Sequence, residues 1–166
     1  MFICFLPGAE NEMSEELGFK VPNGFGTENK AVDHAFKIVA EAQPPKARNG
    51  RRLTVCAAAD LPPGGRKIVE EGSVSIGVFN LGGKFYAIKN VCPHYGAPLC
   101  QGSLHGTHKP SDVHQYDPAY EGQIIRCPWH GWEFDIVTGK GLYDRNSRVA
   151  NYVVEVDEQG DVVVIV

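Results

Sequence analysis

The sequence lacks the long apolar segments and the basic clusters that indicate a membrane span or a nucleic-acid-binding surface. No stretch approaches the roughly 18 consecutive apolar residues that a transmembrane helix needs. Acidic residues outnumber basic ones by 20 to 16, which leaves a formal net charge of −4. Because phosphate binding depends on grouped Lys and Arg side chains, we expect neither a nucleic acid nor a membrane among the partners.

Cysteine is also too sparse for a disulfide-stabilised scaffold. The chain has five Cys among 166 residues, whereas small secreted domains carry them more densely. The apolar residues 1–6 lack the basic residues and the length of a secretory signal. We therefore expect a cytoplasmic protein in which Cys4, Cys56 and Cys100 are free thiols.

The chain divides into an N-terminal extension, residues 1–50, and a β-rich domain, residues 51–166. The extension contains several turn-forming Pro and Gly residues, and its one amphipathic segment lies near residues 28–42. In the second part, short β-branched and aromatic stretches alternate with Gly-containing turns. This pattern predicts an all-β sandwich or barrel, preceded by an irregular extension with a short helix.

Two hairpins and several further strands can be assigned within the β-rich domain. Residues 74–79 and 85–88 are joined through Gly82-Gly83, and β-branched stretches linked by two glycines are typical of a hairpin. A last hairpin is predicted around residues 158–160. The remaining predicted strands cover residues 53–57, 123–126 and 132–135.

Two short loops each offer one thiol and one imidazole. Cys92-Pro93-His94 begins the first loop (residues 92–97), and Cys127-Pro128-Trp129-His130 begins the second loop (residues 127–132). Proline after each Cys fixes φ and removes an N–H donor, and a glycine after each His permits a tight turn. Thiolates and imidazoles are strong ligands for transition metals. The candidate metal ligands are Cys92, His94, Cys127 and His130.

Two kinds of metal site use two Cys and two His. A structural zinc ion takes such a set, but zinc motifs usually pair Cys with Cys and His with His within each half. Here each loop contributes one of each residue, which fits a two-iron cluster with two Cys on one iron and two His on the other. Both alternatives remain open at this point, and the mixed loops favour the cluster.

The two loops resemble those of Rieske [2Fe–2S] proteins, especially the low-potential ferredoxins of bacterial ring-hydroxylating oxygenases. The resemblance includes residues 84–88, 90–99 and 126–139, and it covers about residues 52–166. It implies a Rieske-type antiparallel β sandwich with a small cluster-binding subdomain from which both loops project. It also implies one [2Fe–2S] cluster, held by Cys92, His94, Cys127 and His130.

The respiratory branch of this family differs from the chain at informative positions. Its members carry an extra Cys in each loop, where this chain has Ala97 and Trp129, so the disulfide of that branch cannot form. They also place hydroxyl side chains where this chain has Trp132 and Phe134. Hydrogen-bond donors to a cluster stabilise its reduced form. Their absence predicts a reduction potential near the lower end of the Rieske range, which is roughly −150 to +300 mV.

The resemblance implies a soluble electron-transfer component of an oxidoreductase system. Such a protein passes single electrons from a reductase to a terminal oxygenase and has no catalytic site of its own. One alternative is a redox-sensing or regulatory subunit, and another is the Rieske portion of an oxygenase complex. An oxygenase catalytic subunit would also need a downstream iron site of two His and one carboxylate, for which we expect no room after the second loop.

The spacer between the loops is longer than in most members of the family, and the surplus falls at about residues 101–122. Three His lie in this polar segment, namely His105, His108 and His114. We expect a solvated insertion near the cluster rather than a second metal site, with Tyr116 and Tyr120 packing over the loops. Trp129 and Trp132 could present apolar surface to a partner or shield the cluster, and we favour shielding. We also expect Asp135 to stabilise the turn at residues 138–139.

Overall fold

Strands make up most of the regular structure. The computed structural model describes residues 37–40, 43, 45, 50–109, 114–115, 117–144 and 146–166. Within these residues the strands are β1 (Arg52–Ala57), β2 (Arg66–Glu71), β3 (Val74–Leu81), β4 (Lys84–Lys89), β5 (Ser103–Lys109), β6 (Asp117–Arg126), β7 (Glu133–Asp135), β8 (Asn151–Val156) and β9 (Asp161–Ile165). Two short 3-10 helices cover Ala58–Asp60 and Leu99–Gln101. The predicted all-β class is confirmed.

The larger sheet is antiparallel and has the order β1-β9-β8-β4-β3-β2. Its two halves are joined by only two residue pairs between β4 and β8, Ala87 with Tyr152 and Ile88 with Asn151. A core cluster contains Val55, Val162 and Val164 from one half and Ile76, Val78 and Ala87 from the other. The halves therefore pack on each other as a sandwich, which buries the inward positions of both.

The smaller sheet, of order β5-β6-β7, carries the second loop. Strand β6 ends at Arg126 and β7 begins at Glu133, and these two residues are paired across the strands. The first loop follows β4 in the larger sheet. A second core cluster joins the sheets, because it includes Phe79 and Ile88 from the larger one and Ile125 and Phe134 from the smaller one. Both loops are thus anchored on one hydrophobic core.

The surplus between the loops, expected as a solvated insertion at about residues 101–122, is largely a β-hairpin. Strand β5 pairs with β6 from Ser103 opposite Arg126 to Lys109 opposite Asp117, with an irregularity between His105 and Thr107. The polar composition concealed these strands because pairing depends on cross-strand neighbours more than on intrinsic preference. Tyr116 lies outside the described residues.

A helical segment from the N-terminal extension packs on this hairpin. Residues 37–40 are helical, within the predicted segment near 28–42, whose other residues lie mainly outside the described part. Val39 is 2% exposed and contacts Ile124, Leu142 and Tyr120. No helix among the described residues has the length and apolar character needed to cross a membrane. The division into extension and domain remains a prediction.

Candidate metal centre

The first loop is closed by two backbone hydrogen bonds. The N–H of Cys92 donates to the Ala97 carbonyl at 2.9 Å, and the N–H of Gly96 donates to the Cys92 carbonyl at 2.9 Å. Gly96 has φ +75°, a left-handed conformation that glycine adopts without the penalty of a Cβ. The glycine in this loop is therefore required by the backbone.

The second loop is closed in the same way. The N–H of Cys127 donates to the Trp132 carbonyl at 2.7 Å, and the N–H of Gly131 donates to the Cys127 carbonyl at 3.0 Å. Gly131 has φ +72°. The similarity of the two sequences thus corresponds to one backbone motif that occurs twice.

The two motifs bring the thiols of Cys92 and Cys127 together in the interior. These residues are 1% and 2% exposed, and the two thiols are close enough to influence each other's ionisation. Burial raises the pKa of the Cys92 thiol, Cys127 adds to this rise, and the backbone N–H groups of His94 and Tyr95 oppose it. N–H groups directed at a sulfur stabilise its thiolate form, which is the form that binds metals.

The two imidazoles lie together at the surface. The ring centroids of His94 and His130 are 4.8 Å apart at an interplanar angle of 78°, and both residues are exposed. Tyr95 lies beside them, with its ring centroid 4.3 Å from that of His94 and 5.5 Å from that of His130. The four candidate ligands therefore form an inner pair of sulfurs and an outer pair of imidazoles.

The two tryptophans that flank His130 have different environments. Trp132 is half-buried and stacks on His94, with ring centroids 4.5 Å apart. Trp129 is 59% exposed, and its ring lies edge-on to His130 at 6.4 Å. Trp132 thus fits the favoured alternative, shielding, whereas Trp129 presents its indole to solvent and fits the other alternative, an apolar surface for a partner.

The other histidines of the insertion are separate from the two pairs. His105 lies in β5 with Nε2 3.3 Å from Oε1 of Glu133, and His108 and His114 are exposed. In the part of the chain that the structure describes, no three His, Cys, Asp or Glu side chains are grouped so as to hold a single metal ion.

Asp135 stabilises the turn that follows the second loop, as predicted. Its carboxylate accepts hydrogen bonds from Gln123 Nε2 at 2.9 Å, from the N–H of Val137 at 3.3 Å and from both the N–H and the hydroxyl of Thr138. Burial raises the pKa of Asp135, and these donors offset part of that rise. The acid thereby ties the strand after the second loop to β6.

Sequence analysis did not identify the charged pair at the base of the second loop. Arg126 donates from Nε at 2.9 Å and from a terminal nitrogen at 2.6 Å to Oε1 of Glu133. The Glu133 carboxylate is buried, and it raises the pKa of Arg126. The sequence pattern that could have indicated this pair is the presence of opposite charges on the two sides of a loop between two strands.

Comparison with known proteins finds one family model and two ferredoxins that are similar to this chain. A family model described as "Rieske [2Fe-2S] domain" matches residues 51–153. Ferredoxin CarAc of Metapseudomonas resinovorans is 34% identical over 88 residues, which are 52% of this chain and 67% of that protein. The 3-phenylpropionate/cinnamic acid dioxygenase ferredoxin subunit of Escherichia coli (strain K12) is 31% identical over 112 residues, 67% of this chain and 90% of that protein.

One relative is much longer than this chain, and one solved structure has the same fold. Apoptosis-inducing factor 3 of Mus musculus is 36% identical over 107 residues, 64% of this chain but only 15% of that protein. The solved complex of reduced oxygenase and oxidized ferredoxin in carbazole 1,9a-dioxygenase contains a similar chain, with a TM-score of 0.56 and 32% identity. That match covers 70% of this chain and 94% of the other. The chain belongs to the Rieske [2Fe–2S] domain family.

Proposed function

We propose that this protein is a one-electron carrier that holds one [2Fe–2S] cluster through Cys92, His94, Cys127 and His130. The observation that carries the proposal is the pairing of two buried thiols behind two exposed imidazoles. A Rieske cluster needs two sulfur ligands on one iron and two imidazole ligands on the other. The donor set and its division into an inner and an outer pair fit that requirement.

The loops contribute more than the four side chains. Backbone N–H groups of His94 and Tyr95 are directed at the Cys92 sulfur, so they favour the thiolate that an iron requires. The bound cluster supplies reversible transfer of one electron. The chain keeps the sulfurs away from water, because Cys92 and Cys127 are almost fully buried, while His94 and His130 reach the surface. This arrangement suits electron exchange with another protein.

The surface around the imidazoles is apolar and aromatic. Tyr95 and Trp129, 69% and 59% exposed, lie beside His94 and His130. Tyr143, 67% exposed, lines a cavity together with Gly131 and Trp132, and Val91 next to Cys92 is also exposed. Aromatic residues are enriched in the cores of protein interfaces. We propose that this surface docks a reductase and a terminal, ring-hydroxylating oxygenase in turn. The similar ferredoxin solved together with an oxygenase supports the second partner, and the name of the 3-phenylpropionate/cinnamic acid dioxygenase ferredoxin subunit is consistent with it.

A reducing cytoplasm is the proposed location. Cys56, Cys92, Cys100 and Cys127 are free thiols in the described part of the chain, which accords with a compartment where disulfides are rare. Cys4 lies outside the described residues. Cell fractionation with compartment markers tests this placement, and recovery of the protein outside the cytoplasmic fraction would contradict it.

Cluster ligation is tested by anaerobic purification, iron and sulfide analysis, and electron paramagnetic resonance of the reduced protein. We expect iron and sulfide in equal amounts and a Rieske-type spectrum. Single substitutions Cys92→Ser, His94→Ala, Cys127→Ser and His130→Ala should abolish that spectrum. Matched controls Cys56→Ser and His108→Ala change the same residue types elsewhere and should preserve it. One zinc per chain with no sulfide would contradict the proposal.

The carrier role is tested separately from the cluster. Mixed with candidate reductases and with ring-hydroxylating oxygenases, the protein should be reduced by the first and should support turnover of the second. A sensor would instead bind a target according to oxidation state without supporting turnover. That result would contradict the carrier and favour a regulatory subunit, even if the cluster itself is present.

A further inference from the structure

Glu133 begins β7 at the base of the second loop, and its carboxylate contacts three other parts of the fold. It accepts two hydrogen bonds from Arg126, the last residue of β6. Tyr143, in the segment after β7, lines one cavity together with Glu133, and the carboxylate adds to the effect of burial in raising the pKa of Tyr143. Nε2 of His105, in the insertion hairpin, lies 3.3 Å from Oε1. One buried acid thus contacts strands β5 and β6 and the segment that carries Tyr143.

The chain around Glu133 links these contacts to the imidazoles. Glu133 directly follows Trp132, whose indole stacks on His94. Its own carbonyl accepts a hydrogen bond from the N–H of Leu142 at 3.0 Å, so backbone and side chain together hold the segment at Tyr143. A displacement of Glu133 would therefore reach both the stacked indole and the exposed tyrosine.

The side chain of Tyr143 has room to move if its interaction with the Glu133 carboxylate is lost. Its side chain is largely exposed, and a cavity of about 300 Å³ lies between the second loop and the segment after β7, lined in part by Trp132, Glu133 and Tyr143. Packing therefore does not confine the ring, and its interaction with Glu133 favours one orientation. Gly131, the residue after His130, lines the same cavity, so Tyr143 lies next to the second loop.

We propose that Glu133 is a positioning residue for electron exchange, whose carboxylate holds Tyr143 on the docking surface and whose buried charge lowers the reduction potential of the cluster. The inference rests on the proposed function. A negative charge in a poorly solvated position disfavours the addition of an electron nearby. The opposing charge of Arg126 is more exposed to water, with 55% of its side chain accessible against 5% for Glu133, so solvent screens it more strongly.

Two substitutions separate the effect of the Glu133 charge on the reduction potential from the effect of Glu133 on the position of Tyr143. Glu133→Gln removes the charge and keeps an oxygen that can accept from Tyr143. We expect its reduction equilibrium constant to rise about tenfold, a shift of about 59 mV for one electron. Tyr143→Phe removes the hydroxyl and keeps the charge, so we expect an unchanged potential and a several-fold higher KM for the oxygenase partner. Glu133→Asp retains the charge and should restore a potential close to that of the wild type.

A matched control is available in the larger sheet. Arg52 and Glu155 form an ion pair at 2.8 Å that is exposed on both sides. Glu155→Gln is the same chemical change at a solvated site, where it should move neither the potential nor the KM for the partner. The potential is measured by redox titration followed by electron paramagnetic resonance, a readout that needs no partner protein.

The outcomes distinguish this inference from the proposed function. If the wild type binds no cluster, the proposed function fails. If the wild type binds one but Glu133→Gln has the same potential as wild type and Glu155→Gln, the positioning role is overturned. Should Glu133→Gln fail to assemble a cluster, Glu133→Asp and Tyr143→Phe decide. A wild-type KM in Tyr143→Phe, or a reduction equilibrium constant in Glu133→Asp that differs tenfold or more from that of the wild type, would then refute the inference.

Discussion

The indole of Trp132 stacks on the imidazole of His94, with ring centroids 4.5 Å apart and an interplanar angle of 10°. His94 lies in the first loop, which follows a strand of the larger sheet, and Trp132 lies in the second loop, which the smaller sheet carries. Their contact therefore holds the two loops together. Trp132 covers one face of the His94 ring, and the rest of His94 remains exposed to solvent. Offset and parallel aromatic contacts of this kind contribute about 0.5–1.5 kcal/mol beyond the buried area.

Removal of the stack should loosen the candidate metal centre. We expect Trp132→Ala to lose its iron to a chelator several-fold faster than the wild type, because His94 becomes open to water on both faces. Trp129→Ala is the matched control, since its indole is already exposed and lies edge-on to His130. That variant should keep the cluster and instead react more slowly with partner proteins. Equal rates of iron loss in both variants would show that the stack does not protect the site.

The reduction potential should lie near the lower end of the Rieske range of roughly −150 to +300 mV. The side chains of Trp132 and Phe134 offer no hydroxyl, and Phe134 is fully buried. Fewer donors to the cluster leave its reduced form less stabilised. A redox titration followed by electron paramagnetic resonance measures the midpoint, and a value above about +100 mV would contradict this expectation.

The hydrogen bonds to Asp135 should contribute to stability. Asp135→Asn replaces an acceptor oxygen with a donor group facing N–H and hydroxyl donors, so we expect a loss of about 1.5–3 kcal/mol in the free energy of unfolding. Asp157→Asn is the matched control, because Asp157 accepts two hydrogen bonds in the β8–β9 turn at a less buried position. Urea unfolding followed by circular dichroism measures both. A smaller loss for Asp135→Asn than for the control would contradict the expectation.

The buried thiol of Cys100 should make the protein less stable in alkali. Burial raises its pKa from 9.0 to about 12, so the folded chain retains a proton that the unfolded chain loses. This contribution is fully present below pH 9 and is lost as the pH rises toward 12, with a slope of at most about 1.4 kcal/mol per pH unit. Cys100→Ala should therefore lose stability less steeply than the wild type between pH 9 and 11.

Urea unfolding at several pH values measures these slopes. Cys56→Ala, which removes a thiol that is only partly buried in β1, serves as the control and should follow the wild-type slope more closely. Identical slopes for the wild type and Cys100→Ala would show that the thiol does not ionise differently in the folded chain. Cys100 also contacts Gly77, where an added Cβ would overlap Sγ of Cys100, so no larger side chain suits position 77.

The contact between the N-terminal extension and the smaller sheet should contribute to stability. Val39 is buried against Ile124 and Leu142, and we expect Val39→Ala to lose about 1–2 kcal/mol in the free energy of unfolding. Val156→Ala makes the same change at a position that is half exposed and should cost less than about 0.5 kcal/mol. Equal effects in the two variants would indicate that the extension does not dock in solution.

Several strands could be predicted, and the reason others could not is visible in their sequences. Strands β3 and β4 show alternation and a Gly-Gly connection, so their hairpin was assigned correctly. Strand β2 is Arg-Lys-Ile-Val-Glu-Glu and gave no strand signal. It lies at an edge of the larger sheet, where charged side chains face water and are tolerated. Strand β5 was also missed, because its pairing with β6 and not its own polar sequence places it in a sheet.

The all-β class and the two loops can be recognised from the sequence alone, because each loop has its thiol, imidazole, proline and glycine within a few consecutive residues. Their shared closure follows from local backbone preferences, with Gly96 and Gly131 at positive φ. Which indole covers His94, and which side chains surround the Glu133 carboxylate, could be read only from the tertiary structure. Trp132 and His94 are distant in the chain, and the geometry of both sets of contacts depends on how two sheets pack on one core.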